Sequence, residues 1–182
     1  MGQSLKDYPP LTLPDNNVFT EIGNRLIQEE MYYDQSKLRS EHSVLCAGLN
    51  NYQRRIYVSI MNVVNTQSGG LFFIYEHGGT GKIYLYKTIL SVVRSERKIA
   101  LAIASSGIAA LLLPGGRTAH SRLHIPINLT EESTCEVKPG THAAELLSKA
   151  SIIIWDEAPM AHKQCFEAVD RTLKDIMRLT NP

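Results

Sequence analysis

Apolar positions along the chain follow two rhythms, short unbroken runs and longer stretches with an apolar residue every three or four positions. Leu71 to Tyr75, Lys98 to Ala104 and Ser151 to Trp155 belong to the first kind. They are too short for buried helices and predict core strands. Elsewhere the spacing is helical. Val18, Ile22, Leu26 and Met31 predict a helix over about 18–32, with possible caps from Asp15 to Asn17. Ile56, Ile60 and Val63 or Val64 predict a second over 49–65, started near Asn50 or Asn51 and carrying Gln53 in its first turn. Leu85, Ile89, Val92 and Val93 mark one face of a third over 81–95. The stretch ASSGIAALLL leads from the second run through a polar turn into a helix ended by Pro114, Gly115 and Gly116. Ala143 to Ala150 reads as one more, short helix. Residues 1–17, with Pro9, Pro10 and Pro14, read as an extended surface arm, 34–42 as a polar stretch, and the chain around Pro126 as a long loop.

Strands alternating with helices imply an α/β fold, a parallel sheet with helices on both faces, in which ligands gather at the carboxyl ends of the strands. Two groups of chemical interest stand at such ends. Gly78, Gly79, Thr80, Gly81 and Lys82 follow the first run. Glycines let several N–H groups converge, and a helix N-terminus and a lysine ammonium add to the attraction for phosphate. Aligning the pattern G-x-x-x-x-G-K-[ST] on Gly81 and Lys82 puts Glu76 at the first glycine and Ile83 at the hydroxyl. On this window alone, a strand-to-helix turn with glycines for geometry explains the residues equally well. Asp156 and Glu157 close the third run. A nucleotide hydrolase needs such a pair, one carboxylate to hold Mg²⁺ and one to orient or deprotonate the attacking water. A helix cap is the alternative for the pair by itself. Both groups at the same ends of one sheet favour the nucleotide.

Composition narrows the picture only a little. An apolar fraction of 43% with 20% charged residues is ordinary for a globular domain, and 182 residues suffice for a core. No apolar run approaches the roughly 18 residues of a membrane span, and no targeting signal is visible. Cys46, Cys135 and Cys165 are odd in number and widely spaced, which argues against a disulfide framework or a zinc site and for a reducing compartment. His120 and His124 would share a helix face, but Pro114 and Pro126 around them predict a loop. A net charge of +1 leaves any nucleic acid to a local groove.

With these motifs in view the chain resembles the PIF-type (petite integration frequency) DNA helicases, and within them the plant and helitron-like members. The resemblance rests on LNNYQRRIY, similar to the family's glutamine motif, and on HGGTGK in the Walker A position. It rests further on ASSGIAALLLPGGRTAHS, similar to motif Ia and beyond, and on IIIWDEAPM in the Walker B position. The segments SLKDYPPL and NRLIQEE look like what precedes the helicase core in these proteins. The resemblance implies a RecA-like P-loop fold, with an N-terminal arm and helix over 1–45 and part of the first RecA-like domain over 46–182. It implies that Gln53 contacts adenine, and that Gly78, Gly79, Thr80, Gly81 and Lys82 cradle the phosphates of ATP. It implies Asp156 on Mg²⁺, Glu157 as catalytic base with Lys82 beside it, and Ser105, Ser106, Gly107, Thr118, His120 and Ser121 on single-stranded DNA. Hydroxyls and backbone N–H groups suit phosphate contacts, which position a strand without reading its bases. Family members unwind DNA from five-prime to three-prime in repair and recombination, and the nucleus is favoured over the mitochondrion as location.

Two departures bear on activity. Ile83 lacks the hydroxyl that would ligate Mg²⁺, so weaker metal binding and slower hydrolysis are expected. Glu76 adds a carboxylate near a polyphosphate, and at ~7 Å and an effective dielectric of ~20 one like-charge pair costs about 2 kcal/mol. The later family parts, including the second RecA-like domain and its arginine finger, have no counterpart in these 182 residues. The chain alone is therefore expected not to unwind DNA. A decayed, transposon-derived module that binds nucleotide or single-stranded DNA without catalysis is the other reading.

Overall fold

The computed structural model describes residues 23–75 and 79–180. The arm predicted over 1–17, the start of the 18–32 helix, Glu76 and Gly78 lie outside them. Helix α1, Arg25–Met31, begins at Asn24, whose side chain accepts from the N–H groups of Leu26 at 3.0 Å and Ile27 at 3.4 Å. The stretch read as merely polar is helix α2, Gln35–Ala47, started by Asp34 accepting from the Lys37 N–H. No residue of α2 is fully buried, which is why apolar spacing did not announce it. Helix α3, Asn51–Thr66, opens with a reciprocal capping box: Asn50 accepts from the Gln53 N–H at 2.8 Å, and the Gln53 side-chain oxygen accepts from the Asn50 N–H at 3.1 Å.

Leu71 to Tyr75 do not form the predicted strand. An apolar run supplies β preference, but a strand also needs a neighbour's N–H and C=O groups. None of the described strands pairs with this segment. Leu71, Phe72, Phe73 and Tyr75 are exposed, and only Ile74 packs onto the core.

Helix α4, Lys82–Ser95, and strand β1, Ile99–Ala104, are joined by a tight turn in which the Lys98 N–H donates to Val93 O at 3.1 Å. They run antiparallel. β1 is buried along its whole length, and it alternates small and large side chains. Ala100 and Ala102 face α4, where Leu85, Ile89, Leu90 and Val93 fill the space beside Ile154. Ile99, Leu101 and Ile103 face a second layer.

Helix α5 is Gly107–Leu112, strand β2 Arg117–Thr118 and helix α6 Ala119–Leu123. His120 thus lies on a helix rather than in the loop expected from the flanking prolines. Thr118 caps its start and His124 ends it in the left-handed region, so five residues fit between Pro114 and Pro126. Helix α7, His142–Lys149, feeds strand β3, Ala150–Asp156. The sheet order is β2-β1-β3, parallel throughout. Ala104 stands opposite Thr118 on one side and Asp156 on the other.

After a 3₁₀ turn, Ala158–Met160, the described residues close with helix α8, Lys163–Thr180, which the sequence reading did not anticipate. Its buried stripe is Cys165, Ala168, Thr172 and Ile176. These join α6, α7 and the 124–141 loop in the second layer. The loop is fastened to α8 where Thr172 Oγ1 accepts from the Cys135 N–H and Arg171 donates to Ser133 O. No helix among the described residues is long and apolar enough to cross a membrane.

One polar cluster is buried between these layers. Glu30 of α1 pairs with Arg122 of α6 and lies 3.6 Å from Arg94 of α4. Arg94 also donates to Ala100 O at 2.9 Å and Pro114 O at 2.7 Å, with its guanidinium 4.5 Å over the Tyr33 ring. Burial pushes the Glu30 carboxyl above its ordinary value against the pull of Arg122, Arg94 and Arg117, and it pushes the Arg122 guanidinium down.

Candidate nucleotide site and nucleic-acid edge

The residues from Gly79 to Lys82 are directed toward the sheet's carboxyl edge by how α4 returns along β1. The turn at 96–98 puts the end of α4 at the start of β1. At 1.5 Å per residue the 14-residue helix is about 21 Å long. The 6-residue strand is about 20 Å long at roughly 3.3 Å per residue. The start of α4 therefore stands level with Ala104 and its partner Asp156. Gly81 caps α4 at φ 89 with no side-chain hydrogen bond, and Gly79 has φ 80. Both use the backbone freedom that only glycine has at low cost.

Gln53 is buried against this loop. Its side-chain amide donates weakly to Thr80 O and Gly81 O, each at 3.4 Å, while its oxygen is held in the capping box. Here the glutamine braces the loop from behind. Ile83 is partly buried and packs on the core shared by α3 and α4.

Asp156 is buried at the end of β3, and Glu157, exposed, takes the left-handed region at φ 51, which is unusual for a non-glycine residue. The turn after β1 is tied to both. The Ser105 N–H donates to Asp156 O at 3.2 Å, the Trp155 indole N–H donates to Ser105 Oγ at 2.9 Å, and the Ser106 hydroxyl donates to Glu157 Oε2 at 2.9 Å. Sequence reasoning placed Ser105 and Ser106 in one role and Asp156 and Glu157 in another. It missed the bonds between them, which follow only from the neighbouring registers of β1 and β3.

A PIF1-like helicase family model matches residues 48–182. The chain belongs to that family. Relatives of the PIF1-like chain include ATP-dependent DNA helicase PIF4 of Trypanosoma brucei brucei, 30% identical over 127 residues, which are 68% of this chain and 15% of the relative. ATP-dependent DNA helicase Pif1 of Campylobacter jejuni is 27% identical over 110 residues, 57% of this chain and 24% of the relative. Its namesake from Psychrobacter is 28% identical over 118 residues, 64% of this chain and 18% of the relative. The chain thus spans between 15% and 24% of these relatives. Its parallel sheet with helices on both faces is part of a RecA-like helicase domain.

Within the PIF1-like chain the other predicted residues fall along the same edge. Gly107 opens α5, Thr118 ends β2 and caps α6, and His120 and Ser121 form the exposed first turn of α6. They end or follow strands β1 and β2, which are neighbours. Between this turn and the one after β3 lies a cavity of about 190 Å³, bounded by Ser105, His120, Ile127, Trp155, Met160 and His162. Gly78 lies outside the described residues. No group of three or more His, Cys, Asp or Glu side chains able to hold a metal occurs among the described residues. A single carboxylate such as that of Asp156 is of the donor type that Mg²⁺ takes, since the ion keeps several waters and binds one or two carboxylates with substrate phosphates.

Proposed function

We propose that this chain is the nucleotide-binding part of an ATP-driven DNA helicase motor, with ATP and Mg²⁺ at the α4–β3 edge and single-stranded DNA along the turns after β1 and β2. What carries the reading is the return of α4 along β1, which directs a glycine-flanked helix start without a side-chain cap toward the edge where β3 ends in Asp156 and Glu157 follows. In this reading the N–H groups from Gly79 to Lys82 bind phosphate oxygens, and the Lys82 ammonium takes up charge shed onto them as the bond to the leaving diphosphate breaks. Glu157 accepts the proton of the attacking water. Asp156 would hold Mg²⁺, which when bound neutralises phosphate charge, and Ile83 contributes no oxygen to it. Gln53 is the candidate adenine contact, in which case its amide exchanges a loop carbonyl for the base.

The test is binding of a fluorescent ATP analogue with Mg²⁺ to the chain and to Lys82→Ala. A loss of roughly ten- to a hundredfold on removing the ammonium is expected, since a charge-assisted contact is worth about 1.5–3 kcal/mol. Equal, undetectable binding by both would favour the non-catalytic remnant.

Gly81→Ala should lose at least roughly tenfold of this affinity while the far-UV circular dichroism stays unchanged. A Cβ there would stand 2.7 Å from the Gln53 side-chain nitrogen, and φ 89 disfavours any L side chain. The left-handed penalty of about 1–2 kcal/mol would fall on the loop and not on the core. Undiminished affinity would show that the loop does not bind phosphate.

A further inference from the structure

The Ser106 hydroxyl stands between the two halves of the site. Its oxygen accepts from the Ala109 N–H at 3.2 Å as the cap of α5, and its proton goes to Glu157 Oε2 at 2.9 Å. The oxygen is thereby fixed, and only the O–H direction can change. A serine hydroxyl has one proton to donate, while a carboxylate and a phosphodiester both only accept. Glu157 and a DNA phosphate at Ser106 cannot share that proton, and their negative charges repel at such range. The geometry of Glu157 agrees with a held side chain. It sits at φ 51, a conformation that costs a non-glycine residue energy and persists where its surroundings enforce it. Those surroundings are the Ser105 N–H on Asp156 O immediately before it and Pro159 immediately after Ala158.

We propose that Ser106 is a positioning residue for Glu157, and that a phosphate of single-stranded DNA displaces the Glu157 carboxylate from it. The proposal rests on the nucleotide and single-stranded DNA reading above and adds how the two ligands communicate. Without DNA, Oε2 is committed to the turn after β1. With a phosphate on Ser106 the hydrogen bond passes to the phosphate oxygen, and Glu157 is released toward the nucleotide. Coupling of this kind is reciprocal, so whatever draws Glu157 toward the nucleotide also leaves Ser106 open to DNA.

The experiment measures the affinity of the 182-residue chain for a fluorescein-labelled oligothymidylate by anisotropy at low salt. The variants are Glu157→Gln, Ser106→Ala, Ser106→Thr and Glu157→Gln combined with each serine substitution. Removing the competing charge should tighten binding roughly three- to tenfold in the serine background. The gain should persist with threonine, which keeps the hydroxyl and the cap, and shrink with alanine to the part that charge repulsion alone supplies. A merely structural Ser106 predicts something else: alanine weakens binding through the frayed start of α5, and Glu157→Gln gives the same gain in every background. An unchanged gain overturns the proposal while the DNA reading stands. No binding of the oligonucleotide by the unsubstituted chain overturns both. Should Ser106→Ala fail to fold, Ser106→Gly removes the hydroxyl at a position where glycine is tolerated as a cap, and the same ratios decide.

Discussion

Glu30→Ala should lower the unfolding free energy by about 3–5 kcal/mol, the cost of leaving buried charges without their partner. For a chain of this size that corresponds to roughly 10 °C or more in the thermal midpoint, read by circular dichroism. The reason is the arrangement around the carboxylate. Arg94 and Arg122 are each at least nine-tenths buried, and among the described residues Glu30 is the acid that ion-pairs with both. Replacing Glu30, Arg94 and Arg122 together by apolar residues should recover part of the loss. It cannot recover all, because Arg94 also satisfies the carbonyls of Ala100 and Pro114. A loss below about 1 kcal/mol for Glu30→Ala would mean that the cluster is wet in solution.

The pH dependence of this cluster has a definite sign. Burial holds the Glu30 carboxyl above its ordinary value of 4.5. A raised folded value means that the folded chain binds this proton more tightly than the unfolded one. Its stabilising contribution is full below about 4.5 and is lost as pH rises through the folded value. The stability difference between the unsubstituted chain and Glu30→Gln should therefore decline as pH increases from about 4.5. A difference that grew with pH would show that the arginines outweigh burial.

The cluster also bears on the site, because it clamps the end of α4 and the body of α6 to α1. The opposite end of α4 carries Lys82, and the first turn of α6 carries His120 and Ser121. A chain with Glu30→Ala that still folds should thus lose precision at both edges.

The alternation of runs and helical spacing was enough to read β1, β3, α3 and α4, because those elements bury one clear face. Helix α2, which buries little, escaped. α2 lies on the surface against α4 through contacts such as the Tyr84 hydroxyl on Leu45 O, and its only strong local signal was Asp34 as a cap. Helix α8 was legible and was passed over: Cys165, Ala168, Val169, Leu173 and Ile176 recur at helical spacing and face the second layer. Leu71 to Tyr75 misled in the opposite sense, since a run shows what a segment prefers and not whether a neighbouring strand is there to pair with it. The motifs pointed to Lys82, Asp156 and Glu157 as candidates. The ties from Ser105 to Trp155 and from Ser106 to Glu157 were invisible because they join positions about 50 apart, set side by side only by strand register.

Restoring the two residues at which the phosphate loop departs from its pattern should raise affinity for the Mg²⁺-nucleotide by at least roughly tenfold, and the two substitutions should do so in different ways. Glu76→Gly removes a like charge whose cost was put at about 2 kcal/mol. Its gain should appear with or without Mg²⁺ and shrink as salt screens the charge. Ile83→Thr supplies an oxygen at the second residue of α4, so its gain should appear only when Mg²⁺ is present and disappear with chelator. Ile83 is only partly buried, so the packing lost is small against a metal ligand gained. Measuring both variants and their combination by fluorescent nucleotide binding, each with Mg²⁺ and with chelator, separates the effects. A metal-independent gain from Ile83→Thr would mean that position 83 does not face the ion. If the combined variant binds no nucleotide at all, the turn before α4 is a glycine-rich bend and not a phosphate cradle.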